Sequence, residues 1–381
     1  MKQWTIIGGG IHAVTIALKL RSMGLEQSQL TIIDPHDNLC EQFAERTSKI
    51  SMPFLRSPCV HHVHPDPFHL KQFAKINHYT NCTLGKYQRP QTNMFMDHIH
   101  MLIHQFNLNL CHISASAIDI SRIGNHWSIL LSNDNSIKTD HVVIAFGSYH
   151  DKNIPPLFQQ QPDVQHIFHD NTINFKGSSH VVGSGISAAH LVNKLLNQDE
   201  RTVHLWLNKN LTIHDFDADP GWLGPKNMTY FESITDSHKR LSLLNKERHK
   251  GSMPRELYLK LKHYQEQGRL IMHHDKIRDV RHHHIITDAK KIYYDRIILA
   301  TGFSNSIYQL PLIKKLILNY HAPMAKCGLP QLTDELAWLP NLYVSGALAD
   351  LKLGPFARNI AGGREAAKRI ANAFNAKSYA S

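Results

Sequence analysis

With 381 residues, 42% of them hydrophobic, the chain is long enough for two sizeable cores, and two domains are expected. Its net charge of +11 is dispersed, with no long basic run or recognisable module. That argues against a nucleic-acid partner and for a positive field that attracts phosphorylated cofactors and acidic metabolites. No 18-residue apolar run exists, so neither a transmembrane helix nor a membrane partner is expected.

The chain enters a strand almost at once (residues 4–8), with no h-region before it, so no signal peptide is expected. That strand ends in TIIGGGIHA (5–13), a Gly-x-Gly-x-x-Ala turn of Gly8, Gly10 and Ala13 that leads through Ile11 and His12 into a helix over 11–23. The first glycine permits the tight turn, and the second lets backbone approach a pyrophosphate. The small third residue lets helix pack on strand, and the phosphates sit on the helix N-terminus. Gly24 stops the helix, and a strand over 30–34 closes on Asp34, about 20 residues past the glycines, where a carboxylate can accept both ribose hydroxyls.

The loop RSPCVHHVHPDPF (56–68) is the most unusual polar segment. Arg56 and His62, with His61, are its candidates for catalysis, as groups that steady a charged intermediate or shuttle a proton. Turn and helix capping is the equal alternative for Arg56 and His62 and the expected role of Asp66. Cys59 lacks an evident base partner. Alternating strands over 115–121, 126–132 and 136–140 then run into HVVIAFG (141–147), which carries Ala145 and Gly147, and Pro155 to Pro162 reads as a linker.

A second turn, HVVGSGISA (180–188), repeats the plan with Gly183, Ser184, Gly185 and Ser187, a helix over 186–197 and a strand over 203–207. That strand ends in Asn208-Lys209 with no acid, so Lys209 can pair with a 2′-phosphate and NADPH is favoured over NADH. A solvated strand-end lysine is the alternative. FDADPGWLGPKNMTYF (216–231) reads as a long non-periodic loop, either a lid or substrate wall or a packed surface loop. Short strands over 275–280, 283–287 and 291–295 lead into RIILATG (296–302), with Thr301 and Gly302 matching Ala145 to Gly147. The chain has 29 histidines, but alternate side chains of His282 to His284 face opposite ways, and no metal site is expected. A late strand, NLYVSG (341–346), and a helix opening at Gly354-Pro355 suggest that the C-terminus completes the first domain. The expected class is α/β with two Rossmann-like dinucleotide-binding domains and β-meanders, the second inserted into the first. The expected divisions are 1–165, 166–295 and 296–381.

Two such turns, the Ala-x-Gly closures and the C-terminal return resemble the two-domain flavoproteins that bind FAD first and NAD(P)H second. Within them the chain resembles the flavin-dependent N-hydroxylating monooxygenases of the lysine and ornithine type. Asp295 to Phe303 is similar to their Asp-x3-(Leu/Phe)-Ala-Thr-Gly-Tyr signature, and KISMPFLRSP (49–58) with DPFHLKQFA (66–74) resembles their flavin-contacting loop and Phe-rich helix. The resemblance implies that Met52 and Leu55 contact flavin, with Gly346, Leu353, Gly354 and Pro355 completing the site. Arg89 and Phe95 resemble a further family stretch, and Arg358 and Asn359 read as helix surface. Phe303 replaces the signature Tyr, Tyr308 replaces His or Pro, and Lys250-Gly251-Ser252 replaces Thr-Asn-Tyr. Ornithine or lysine is therefore not carried over as substrate. QHIFHDN (165–171) offers only His169 and no glycine, which weakens a Baeyer–Villiger reading.

The resemblance implies hydride transfer from NADPH to FAD, oxygen activation as a C4a-hydroperoxyflavin, and hydroxylation of a small amine or amino-acid-like nucleophile. An NAD(P)H:acceptor oxidoreductase without hydroxylation is the alternative, and a cofactor-binding regulatory protein the third reading. Five scattered cysteines without Cys-x-x-Cys suit a reducing cytosol, so a cytoplasmic location is expected, with a homo-oligomer open.

Overall fold

Each glycine turn grows out of its own parallel sheet. The computed structural model describes residues 2–147, 151–169, 180–304 and 306–378. The first sheet runs in the order Ala337–Leu339, Leu342–Val344, His141–Ile144, Trp4–Ile7, Leu30–Asp34, His112–Ser114, parallel throughout except for the first edge strand. Its central strands are buried along their length, so WTII and HVVI read as unbroken runs rather than alternations. Helix Ile11–Ser22 and the C-terminal helix Ile360–Ser378 cover one face through small residues, Ala13, Ala17, Ala366 and Ala367. The meander Ala117–Ile123, His126–Leu131, Ser136–Thr139 covers the other with Ile120, Trp127 and Ile129.

The second sheet is all parallel, in the order Val164–His166, Ile297–Leu299, His180–Val182, Val203–Trp206, Leu270–His273. Helix Ile186–Gln198 lies on one face and the meander Ile277–Arg281, His284–Thr287, Lys291–Tyr293 on the other. Strand Leu342–Val344 then rejoins the first sheet beside His141–Ile144, so one module is inserted into the other. The expected divisions need correction. Val164–His166 and Ile297–Leu299 both belong to the second sheet, so 165/166 cuts a strand and 295/296 detaches one.

The segment 216–231 is not a long loop. A 3-10 turn, Pro220–Leu223, and a helix, Pro225–Ser233, occupy it, and helix Ser237–Glu247 follows. Each proline stands at the first helical position, where its missing N–H costs nothing, so these prolines start helices. Phe216, Ala218, Trp222, Phe231 and Leu244 make a small core with Phe356. The C-terminal helix also starts later than expected, at Ile360, because Gly354–Phe356 forms a separate 3-10 turn.

Candidate active site

The closures explain the first glycine of each turn. Gly8 has φ +110, and a Cβ on it would lie 2.6 Å from the Phe146 nitrogen. Gly183 has φ +152, and its Cβ would lie 2.5 Å from the Ala300 carbonyl oxygen. Each Ala-x-Gly segment therefore passes directly over its turn, where no side chain fits. Gly10 and Gly185 then stand as N-caps without a side-chain cap, and neither helix has an acid in its first turn. Free backbone N–H groups and uncompensated dipoles make both ends anion sites.

The two turns open into one cleft of about 1740 Å³, beyond the roughly 300–1,000 Å³ of a site for one drug-sized ligand. Most residues expected to bind cofactor line it: Gly8, Gly10, Ile11, His12, Asp34, Met52, Ala145, Gly147, Gly183, Ser184, Gly185, Ser187, Asn208, Lys209, Thr301, Gly302, Gly346 and Pro355. Asp34 accepts from the Gly9 N–H at 2.6 Å and from His36 Nδ1 at 2.6 Å. Ser184 Oγ donates to the Asn208 side chain, and Lys209 Nζ donates to the Lys250 carbonyl at 2.5 Å. Phe303 stacks on Phe168 with ring centroids 5.5 Å apart, and Arg46 lies 4.7 Å above the Phe303 ring.

Four residues placed at the cofactors lie elsewhere. Ala13 is buried between helix and sheet, where its small size serves packing, and Leu55 and Leu353 are buried in the first core. Gly354, at φ +71, turns toward the helical insertion, where a Cβ would meet Met228 Sδ at 2.9 Å. Lys250-Gly251-Ser252, which stands where the resembled family has Thr-Asn-Tyr, lines the cleft beside the second turn. A Cβ on Gly185 would lie 3.4 Å from Gly251 Cα.

The candidate catalytic groups are also corrected. Arg56 lines the cleft, but most of its guanidinium is taken by the second module. It donates to the carbonyls of His214 (2.7 Å), Asp215 (3.1 Å) and Phe216 (2.8 Å), to Asp217 Oδ1 (2.5 Å) and to Ser252 Oγ (2.8 Å). His62 is fully buried outside the cleft, edge-on to His98 at 5.2 Å and bonded to the Pro67 carbonyl at 3.2 Å. Arg364 turns this loop away from the cleft by donating to the carbonyls of His62, His64 and Pro65. Burial pushes the His62 imidazole down to about 3, so it is neutral near pH 7. Asp66 closes the turn before helix His69–Ile76, accepting from the Phe68 N–H at 2.9 Å, but does not cap the helix, whose N-cap is Phe68.

Five further side chains take part that the motifs do not mark. Asp217 lines the cleft and accepts from Asn359 Nδ2 at 2.6 Å. The Asn359 carbonyl in turn bonds His12 Nε2 at 2.8 Å, so Asn359 is not idle helix surface. Asp350 is buried and takes both Arg248 and Arg358, the latter through Nη2 at 2.6 Å. These partners stand more than 100 residues apart except for Asp350 and Arg358, so no local motif announces them. Among the described residues, no group of three His, Cys, Asp or Glu side chains is placed to hold a metal ion, and no helix is long and apolar enough to cross a membrane.

Comparison with known proteins agrees with this architecture. Residues 5–149 match a protein family described as FAD-NAD(P)-binding. The uncharacterized oxidoreductases CzcO of Bacillus velezensis and Bacillus subtilis are each 24% identical over 229 residues, covering 58% of this chain and 64% of theirs. The chain thus spans just under two thirds of those relatives' length. Among solved structures, an ornithine N-hydroxylase of Kutzneria sp. 744, with reduced FAD, NADP+ and L-ornithine, superposes with TM-score 0.76 at 13% identity, covering 99% of this chain and 100% of that one. The ornithine hydroxylase of Pseudomonas aeruginosa gives 0.73 at 15% identity, covering 98% of both chains. A bacillithiol disulfide reductase of Bacillus cereus gives 0.63 at 14%, covering 99% of both. At these identities the likeness establishes the fold.

Proposed function

We propose that this chain is an NADPH-dependent FAD monooxygenase acting on a small nucleophile, an amine nitrogen first among the candidates. One observation carries the reading: two uncapped glycine-turn helices face a single cleft. A site with that pair of anion-binding ends suits two dinucleotides, and two dinucleotides in contact imply redox chemistry. The first turn would hold the FAD pyrophosphate on the amides beyond Gly10, with Asp34 at the adenosine ribose. The second would hold NADPH on Gly183 to Gly185, with Asn208 and Lys209 at its adenosine end.

When bound, FAD would take a hydride from NADPH and, once reduced, activate O₂ for transfer of one oxygen atom to the substrate, the other leaving as water. The chain's own residues bind, orient and shield. Met52, Phe168 and Phe303 supply apolar wall, which lowers water access to the reacting centre. The acceptor-oxidoreductase alternative is favoured by one observation: neither Arg56 nor His62 is placed to move a proton in the cleft.

Parallel measurement of NADPH oxidation, O₂ uptake and hydroxylamine formation across a panel of amines separates the two. One hydroxylamine per NADPH and per O₂ with any amine establishes the monooxygenase. Oxidation indifferent to every amine, yet accelerated by quinones, establishes the acceptor oxidoreductase. Failure of NADPH to bleach the FAD-loaded protein removes both.

A further inference from the structure

The second module is tied to the first by more than packing. Asp217, which belongs to the inserted module, is gripped by two separate segments of the first. Arg56 Nη1 donates to its Oδ1 at 2.5 Å, and Asn359 Nδ2 donates to its Oδ2 at 2.6 Å. Behind Asn359 stands His12, in the first glycine turn. A carbonyl can only accept, so His12 Nε2 carries the proton donated to the Asn359 oxygen at 2.8 Å. Its Nδ1 is then the acceptor for the Ser345 hydroxyl at 2.6 Å, which fixes the ring.

Behind Arg56 stands Ser252. It accepts from Arg56 Nη2 at 2.8 Å and donates to the His249 carbonyl at 2.6 Å. Ser252 follows Gly251, which rests against Gly185 of the second turn. The hydrogen-bonded path His12–Asn359–Asp217–Arg56–Ser252 thus runs from one dinucleotide turn to the other, and every member lines the cleft.

We propose that Asp217 is the positioning residue for hydride transfer, the keystone of a polar relay that holds the two dinucleotide turns at a fixed separation. This rests on the reading that those turns hold the hydride acceptor and donor. Two other ties between the modules, Lys49 Nζ on the His169 carbonyl at 2.9 Å and Arg89 with Glu256, bypass both turns, and Arg248 crosses beside the cleft to Asp350 and to the Pro355 carbonyl at 3.1 Å without touching either. Arg56 is mostly buried, its side chain 11% exposed, and Asp217 is the carboxylate paired with it. Losing Asp217 leaves that guanidinium with carbonyls and one hydroxyl, and it frees Asn359 at the same stroke. Transfer between bound donor and acceptor is steep in distance, so the effect falls on the rate of reduction rather than on binding.

The test uses FAD-loaded wild type, Asp217→Ala, Asn359→Leu and the double variant. Anaerobic stopped-flow reduction over a range of NADPH concentrations gives a limiting rate and a Kd for each. Hydrogen–deuterium exchange of segments 214–217 and 248–252 is read on the same proteins without NADPH. The relay requires a limiting rate lower by about tenfold or more in each single variant, with Kd unchanged within about threefold. It also requires faster exchange in both segments, and a double variant no slower than Asp217→Ala alone.

Wild-type rates and exchange in both single variants overturn the proposal. So does a loss that appears wholly in Kd, which would make Asp217 a nucleotide contact. Should Asp217→Ala fail to fold, Asn359→Leu decides, because it leaves the backbone carbonyl to His12. Reduction is read before oxygen enters, so failure to hydroxylate amines does not bear on the relay. A wild type that NADPH cannot reduce refutes the cofactor assignment while exchange still tests the relay.

Discussion

Buried imidazoles make acid the sharpest perturbation of this fold. His62, His98, His166, His180, His190 and His273 are all buried. Burial, the leading cause in every case, pushes His62 and His180 down to about 3, His98 to about 2, and His166, His190 and His273 to about 4. Neighbouring cations add to it, Arg364 at His62 and Lys260 at His190. In the unfolded chain each titrates near 6.5, so below that pH the unfolded state binds more protons than the native one. Stability is therefore complete above about pH 6.5 and falls as pH drops toward about 4, where native imidazoles begin to charge. At pH 5.5 each such histidine forfeits on the order of 1 kcal/mol, and the six together several kcal/mol. Half of that is still a large share of the roughly 5–15 kcal/mol that holds a typical domain together. Urea titrations followed by far-UV circular dichroism at pH 7.5, 6.5 and 5.5 should show the midpoint collapsing over that interval. The pH slope at 5.5 should report about five protons taken up on unfolding. His190→Leu, which deletes a ring whose Nδ1 has no hydrogen-bond partner, should lower that count by about one. A midpoint flat from pH 7.5 to 5.5, or an uptake below two protons, would mean that these imidazoles do not set the acid limit of the fold.

Three further outcomes are expected. Gly183→Ala places a Cβ 2.5 Å from the Ala300 oxygen at φ +152, so it should cost about 2–4 kcal/mol and abolish NADPH binding while FAD is retained on purification, checked by melting and flavin content. Under the proposed NADPH assignment, Lys209→Ala should raise the Kd for NADPH by about tenfold and leave that for NADH within about twofold, measured by anaerobic flavin reduction, because the 2′-phosphate would lose its cation. Asp350→Ala leaves the guanidiniums of Arg248 and Arg358 without their shared carboxylate and should cost about 3–5 kcal/mol by urea unfolding.

What could be read from the sequence follows the reach of the interactions. The glycine turns, the strand ending at Asp34 and the closures at Ala145 and Ala300 are local strand–turn–helix patterns, and each lies where its motif says. The return of Leu342–Val344 to the first sheet was legible because a buried strand shows as an apolar run wherever it occurs. Prolines misled at 220 and 225, since Pro opens a helix as readily as it breaks one and only the residues beyond it decide. His62 misled for another reason. A polar loop beside a flavin-type motif invites a catalytic reading, but its backbone carbonyls are taken by Arg364, 302 positions away for the His62 carbonyl.

Arg56 shows why such errors concentrate at the site. Its placement beside the cleft was legible, whereas its role depends on partners 158 to 196 residues downstream, supplied by a module that the chain inserts and then leaves. Insertion puts the two glycine turns on separate sheets, so their relative placement rests on side chains that cross between modules. Three backbone carbonyls, a carboxylate and a hydroxyl occupy Nε, Nη2 and one N–H of Nη1 of this arginine, which leaves at most a single Nη1 N–H for a substrate. The same contacts let it hold two modules in register, and the cleft's chemistry falls to whatever the two turns bind.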